Sequence, residues 1–224
     1  MTGQRELNRE RTRSKLILVA QDLLEKNDLD ASIGQICKAA GIAVGTFYNY
    51  FDSKSAIFED AAVAALAEYS PYFFSLASTP HHDPAIPVAK AMRFSLRLAM
   101  YQPRIAKIIV AAGPKAFTRA NPFAGPALDA LRSSVALGYA KCEDPETYFV
   151  AFSGAYQNVL AFAVTNDAYL AVNADYVVAI FMRELGYEMD IVNEISFAPL
   201  DEEVLAAAIN LAGKPEPKRP KPNR

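Results

Sequence analysis

The sequence predicts an all-α protein, and three observations carry that prediction. Apolar residues recur at three- and four-residue spacing along most of the chain, and no stretch alternates with the period of two that marks a strand. The breaks between these runs fall on Gly and Pro, at Gln102-Pro103, Gly113-Pro114, Asp144-Pro145 and Gly186. Residues 32–51, S-I-G-Q-I-C-K-A-A-G-I-A-V-G-T-F-Y-N-Y-F, read as two short helices around a glycine turn.

Leu16, Ala20, Leu23 and Leu24 share one helical face, which predicts a first helix over about 9–26, ending before the polar loop 27–30. Ser32 followed three residues later by Gln35 is a capping-box pattern, so a helix starts there, with Ile36 and Ala40 on its buried face. Gly41 supplies the left-handed residue that ends it, and Ile42 packs under the turn. A second short helix over about 43–49 carries Thr46, Tyr48, Asn49 and Tyr50, anchored by Phe47 and Phe51. Two helices of this size around a tight turn form a helix-turn-helix, whose second helix fits the DNA major groove.

Asp52 or Ser53 caps a fourth helix with Ile57, Phe58, Ala61 and Ala65 inward, kinked or ended at Pro71. After a loop at 79–84, helices are expected near 86–101, 104–112, 126–141, 146–166, 173–186 and 200–212. Residues 147–166 carry no charge, but Ser, Gly, Gln, Asn and Thr interrupt them and acidic residues flank both ends. That pattern predicts a soluble helix buried on two faces rather than a membrane span. Phe149, Phe152, Tyr156, Val159 and Ala163 mark one face; Ser153, Leu160 and Val164 mark the other. A helix apolar all round buries one side in its own core and the other against something else, and a second copy of the chain fits that role. The helix at 173–186 would complete a four-helix seam, in which Tyr156 and Val159 are the positions where a charge tests association.

The run G-I-A-V-G-T-F-Y-N-Y-F-D-S-K over 41–54 resembles the signature of tetracycline-repressor (TetR) family regulators, with Gly41, Ile42, Gly45, Thr46, Tyr48, Phe51 and Lys54 in register. The resemblance covers roughly residues 10–60. It implies a three-helix DNA-binding domain at 1–60 and a larger helical domain at 61–212 that dimerises and often holds a small ligand. It also implies that Tyr48, Lys54 and Ser32 meet phosphates. Thr46, Asn49 and Tyr50 are then the polar groups left to read bases. Three positions depart from the family pattern. Ala43 stands where a capping Ser is usual, Val44 where a long polar side chain is common, and Gly34 where some members reach a base, so either thymine methyls and DNA shape carry part of the reading or specificity is modest.

Charge does not by itself point to nucleic acid. The chain of 224 residues has a net charge of −2, and residues 1–60 hold 8 basic against 9 acidic side chains. Arg5, Arg9, Arg11, Arg13 and Lys15 nevertheless crowd the start, where they suit phosphates. The Pro-rich tail 213–224 holds 5 basic residues and 1 acidic and is expected to be a flexible, solvated arm. Cys37 and Cys142 lack metal-ligand spacing and read as reduced thiols of a cytoplasmic protein, and residues 1–15 carry no apolar signal.

The expected partners are a double-stranded DNA operator, a homodimer partner and an apolar or aromatic small-molecule effector, with no cofactor, metal or membrane. Phe94, Arg97, Tyr101, Phe152, Tyr156 and Asn158 are the candidate effector-binding residues, with Arg93 one turn before Arg97. A buried amide such as Asn158 needs a partner, which a ligand or the other subunit could supply. An enzyme is the competing class. Against it, no Ser-His-Asp set or phosphate loop is visible, and the only histidines, His81 and His82, lie in a Pro-rich loop. A third reading is a dimeric regulator with a solid core and no effector.

Overall fold

The computed structural model describes residues 2–68, 70–120, 123–165, 167–200, 202 and 206. Among the described residues there are eleven helices and no strand. The chain divides into two compact units, one of residues 1–70 with 104–125, the other of 71–103 with the described residues from 126 on. The helix expected over 200–212 and the tail 213–224 lie outside the described residues, except that 202 and 206 are helical.

The first unit holds α1 (Thr2–Glu25), α2 (Ile33–Ala40), α3 (Val44–Phe47), α4 (Lys54–Ala67) and α7 (Pro103–Ala120). Leu16, Ile17, Ala20 and Leu24 of α1 form its core with Ile36, Phe47, Phe51, Ile57, Ala61 and Ile108. α1 begins seven residues earlier than the apolar spacing indicates. Its first turns are rich in Gln, Arg, Glu and Leu, whose side chains, unbranched at Cβ, lose little freedom in a helix, so propensity extends it where no core demands it. Asn27, at φ 54°, closes the helix in the left-handed conformation that Asn tolerates. Within α7, Gly113 at φ 77° and ψ 179° breaks the helical path, so the punctuation read at Gly113-Pro114 is a sharp kink.

Buried polar groups fix this unit. Gln21, fully enclosed, donates from Nε2 to the Ala61 carbonyl at 3.1 Å and ties α1 to α4. Arg104, at the first turn of α7, donates to Glu25 at 2.9 Å, to Asp22 at 3.3 Å and to the Gln21 amide oxygen at 3.4 Å. No sequence signal marked Arg104. Its partners lie some eighty residues away and become neighbours only in the fold.

The second unit holds α5 (Ser70–Ala77), α6 (Ala85–Tyr101), α8 (Ala124–Ala136), α9 (Pro145–Thr165), α10 (Asp167–Glu184) and α11 (Met189–Phe197). α10 is central, packing on α6, α9 and α11. α11 was not anticipated. Only nine residues long, it starts just after Gly186 and buries a narrow face of Val192, Ile195 and Ser196, too little pattern to separate from a loop. Asp83 is buried. Its carboxylate accepts from the Ala85 amide at 3.0 Å and from the Tyr187 hydroxyl at 2.6 Å, and Tyr187 also shares a 3.0 Å hydrogen bond with Ser134. That chain of bonds pins the loop before α6 to α8 and to the end of α10. Among the described residues no helix is long and apolar enough to cross a membrane.

Candidate nucleic-acid interface

The local chemistry of 32–54 builds a rigid corner. The Ser32 hydroxyl accepts from the Gln35 amide at 3.2 Å, and Gln35 Oε1 accepts from the Ser32 amide at 2.8 Å, completing the capping box. Gly41 sits at φ 69° and ψ 38°, and the amides of Gly41 and Ile42 close on the carbonyls of Lys38 and Cys37. A side chain in that left-handed conformation would be strained, so glycine is required there. The buried Cys37 thiol packs in the core, and burial pushes its pKa up, which keeps it a protonated structural group.

α3 is shorter than the expected 43–49. The helix proper is Val44–Phe47, and hydrogen-bonded turns carry residues 48–50. Ala43 at the N-cap makes no side-chain bond, and Val44, Gly45 and Thr46 are weak helix formers, so the segment tightens instead of extending. Phe47 and Phe51 hold it down, their rings 5.8 Å apart, both buried. Ser53, not Asp52, caps α4, accepting from the Ala56 amide at 3.1 Å.

The predicted site residues divide into two groups. Ser32, Tyr48 and Asn49 are exposed; Tyr48 is 56% exposed although its ring edge rests on Phe47 at 5.5 Å. Val44 and Gly45 are exposed beside them, and a Cβ at Gly45 would meet nothing within 4 Å. Thr46, Tyr50 and Lys54 are half-buried. Tyr50 is half-buried and packs against the core. Lys54 donates one N–H to the Leu29 carbonyl at 2.7 Å, pinning the loop after α1 and keeping its ammonium beside the exposed corner. Of the basic residues near the start, Arg13 is committed inside the unit, paired with Asp60 and stacked over Phe51 at 5.4 Å; Arg5, Arg9, Arg11 and Lys15 are exposed.

Residues 16–61 match the bacterial regulatory proteins of the tetR family. The N-terminal domain belongs to the tetR family. Solved structures with the same fold extend over most of the chain. RolR in complex with resorcinol is 23% identical, with a TM-score of 0.66 over 88% of this chain and 98% of that one. SmeT, the repressor of the Stenotrophomonas maltophilia multidrug efflux pump SmeDEF, is 17% identical, with a TM-score of 0.62 over 84% and 95%. The regulator FadR of Bacillus subtilis in complex with stearoyl-CoA is 16% identical, with a TM-score of 0.59 over 76% and 98%. No curated protein matches the chain in sequence.

The second unit contains an apolar cavity of about 70 Å³. Ala85, Val88, Met92, Phe152, Phe181 and Leu185 are among its walls. It lies beside Phe149 and Phe152 of α9, as the uncharged helix suggested, but on α6 one to two turns before the candidates Phe94, Arg97 and Tyr101. Of the candidate effector residues only Phe152 lines it. The Tyr148 hydroxyl on its wall is already spent on the Phe181 carbonyl at 2.6 Å, and burial raises the pKa of that phenol.

The other effector candidates are placed differently. Tyr156 is buried and shares a 2.7 Å bond with Ser95; burial lifts its pKa to about 12. Phe94 is core, and Tyr101 is half-buried. Arg97 and Arg93 grip Asp175, Arg97 from Nε at 3.0 Å, so Arg97 is held by a carboxylate of its own chain. Asn158 is not the buried amide the sequence suggested. It is exposed and donates to the Gly154 carbonyl of its own helix at 3.0 Å.

The exposed side of α9 is displaced from the face first assigned to the subunit seam. Tyr156 points into its own core, while Val150, Gly154, Asn158 and Phe162 are exposed, Val150 at 65% and Phe162 at 51%. On α10, Tyr176 and Ile180 are exposed as well. Helical spacing places the four α9 residues on a single stripe.

Proposed function

We propose that this tetR-family protein is a ligand-responsive transcriptional repressor that binds a palindromic operator as a homodimer. The observation that carries the reading is the exposed corner of Ser32, Val44, Tyr48 and Asn49, held rigid by the capping box, Gly41 and the Phe47–Phe51 anchor. A rigid helix end presenting hydroxyl, amide and apolar groups suits the major groove, with Lys54 and the exposed arginines of α1 toward phosphates. In this reading Tyr48, Lys54 and Ser32 hold the backbone and Thr46 and Asn49 read base edges. Tyr50 acts mainly by positioning the turn.

Dimerisation runs through the stripe Val150–Gly154–Asn158–Phe162 with Tyr176 and Ile180. An apolar face this exposed is costly in water and is covered in the assembled molecule. Glycine and alanine along α9 let a second helix approach closely. The effector enters the cavity beside Phe152. Its walls offer no free hydrogen-bonding group, so the ligand is small and apolar or aromatic. An engineered cavity of about 150 Å³ accepts benzene, and the unbranched Met92 and Met182 give way to reach that size. Ligand binding favours a conformation with lower operator affinity, and the DNA is released.

Selection of bound sequences from random duplexes, followed by gel shift, tests the core of the reading. An enriched inverted repeat is expected; enrichment of none would remove the operator hypothesis.

A further inference from the structure

A second cleft, of about 220 Å³, lies among α5, α6 and α11 and differs chemically from the apolar cavity. Its floor is Arg93, whose guanidinium is buried. Arg93 donates to Asp175 from Nε at 3.0 Å and from Nη2 at 3.3 Å, and its Nη1 reaches the Ile195 carbonyl only at 3.4 Å. Lys90 stands at the rim, exposed and loosely paired with Glu194 at 3.8 Å. Phe94, Leu76, Ile195 and Leu200 make the walls.

Each feature bears on the ligand. A guanidinium stays charged even when buried, and it offers five N–H donors, of which Nη1 here is only weakly used. The charged side chains that line the cleft are two cations, Lys90 and Arg93, against one carboxylate, Glu194; behind it Asp175 is shared between Arg93 and Arg97. Hydrogen bonds from a cation to a carboxylate are among the strongest a site can make. A simple inorganic anion would leave the apolar walls unused, and a neutral hydrocarbon would leave Nη1 with nothing better than its long bond to the Ile195 carbonyl. We propose that this cleft binds a small organic carboxylate, its charged end against Arg93 and Lys90 and its hydrocarbon body against Phe94, Leu76 and Leu200. The site is separate from the apolar cavity and is independent of how the protein reads DNA.

Calorimetric titration of the full chain with benzoate and hexanoate, against benzyl alcohol and hexanol, tests it. The carboxylates bind more tightly than the alcohols by about tenfold or more, the margin of a charge-assisted hydrogen bond. Lys90→Gln weakens the carboxylates severalfold, Leu76→Trp abolishes their binding by filling the cleft, and Ala89→Leu, which narrows the other cavity, leaves it unchanged. Equal affinity for acid and alcohol overturns the proposal. So does carboxylate binding that survives Leu76→Trp but is lost in Ala89→Leu, or no saturable binding. If Leu76→Trp does not fold by circular dichroism, the exposed Lys90→Gln decides alone, and unchanged carboxylate affinity overturns the site.

Discussion

The Arg104 guanidinium donates to the Glu25 carboxylate at 2.9 Å, joining the first turn of α7 to the last turn of α1. The same side chain reaches Asp22 and Gln21, and Gln21 in turn holds the Ala61 carbonyl of α4. Three helices of the N-terminal unit thus meet at one half-buried cation. Arg104→Ala removes all three bonds at once and should destabilise the unit by about 1–3 kcal/mol, the range for hydrogen bonds to charged groups. Urea unfolding followed by circular dichroism measures it. A loss under about 0.5 kcal/mol would class the cluster with exposed ion pairs that contribute little.

A Cβ built on Gly154 meets nothing within 4 Å, and the residue lies on the exposed stripe of α9. Gly154→Arg is therefore expected to keep the fold, and to gain helix propensity of roughly 0.8–1 kcal/mol. In the proposed dimer it would place an unpaired charge in the seam. Light scattering should then report a folded monomer with an unchanged helical spectrum. Tyr156→Glu should behave differently, unfolding the second unit because the side chain is buried against Ser95. A folded Gly154→Arg dimer would move the interface off this stripe.

Much of this architecture was legible in the chain because it rests on local rules. The capping box at Ser32 and Gln35, the left-handed Gly41, the Ser53 cap and the kink at Gly113 each follow from one or two residue types. The phase of a helix was harder to read. α9 is apolar on nearly every side, so periodicity could not say that Tyr156 faces inward while Gly154 and Asn158 face outward. The surroundings of the effector candidates were hidden for a related reason. Arg97 is satisfied by Asp175, 78 positions away, and a partner at that range leaves no mark in the spacing. α11 was lost because nine residues with three buried positions carry too little pattern.

Asp175 gives the protein a defined acid response. Burial alone would raise its pKa, but the hydrogen bonds and charges of Arg97 and Arg93 outweigh that and hold the carboxyl below its ordinary value. A carboxyl depressed on folding binds fewer protons folded than unfolded. Its stabilisation is therefore complete above the unfolded pKa of about 4 and is lost as pH falls through the folded value. Asp175→Asn leaves Arg93 buried without its carboxylate and should cost about 3–5 kcal/mol at pH 7. The deficit should shrink as pH falls below about 4 and through the lower folded value, where the wild-type carboxylate also takes up its proton. Denaturant midpoints at a series of pH values decide it; a gap as large at acid as at neutral pH would refute the linkage.

Ser196 offers a test of opposite sign. It is fully buried on α11, and its hydroxyl has no hydrogen-bond partner among the described residues. Replacing the hydroxyl by hydrogen removes a desolvation cost and adds helix propensity, so Ser196→Ala should raise stability by about 0.5–2 kcal/mol. A rise in thermal midpoint is the expected result. A fall would mean that the hydroxyl has a partner in the folded protein.

Lys54 and Asn49 should part company on DNA. Lys54 has one N–H on the Leu29 carbonyl and two left for a phosphate, while Asn49 is exposed with its amide at the corner. A phosphate contact contributes equally to every sequence. Lys54→Ala should therefore weaken selected and random duplexes alike and lower the salt slope of binding by about 1. Asn49→Ala should cost about 1–3 kcal/mol on the selected sequence and little on random DNA, because a base contact acts only where the right base stands. Fluorescence anisotropy across a salt series separates the two, with a thermal melt of Lys54→Ala to register the lost Leu29 bond. If Lys54→Ala lowers the melt but leaves the salt slope unchanged, the lysine is a loop anchor alone. If Asn49→Ala weakens both duplexes equally, the base-reading role passes to the exposed Val44 and the half-buried Thr46, whose methyl groups can meet thymine.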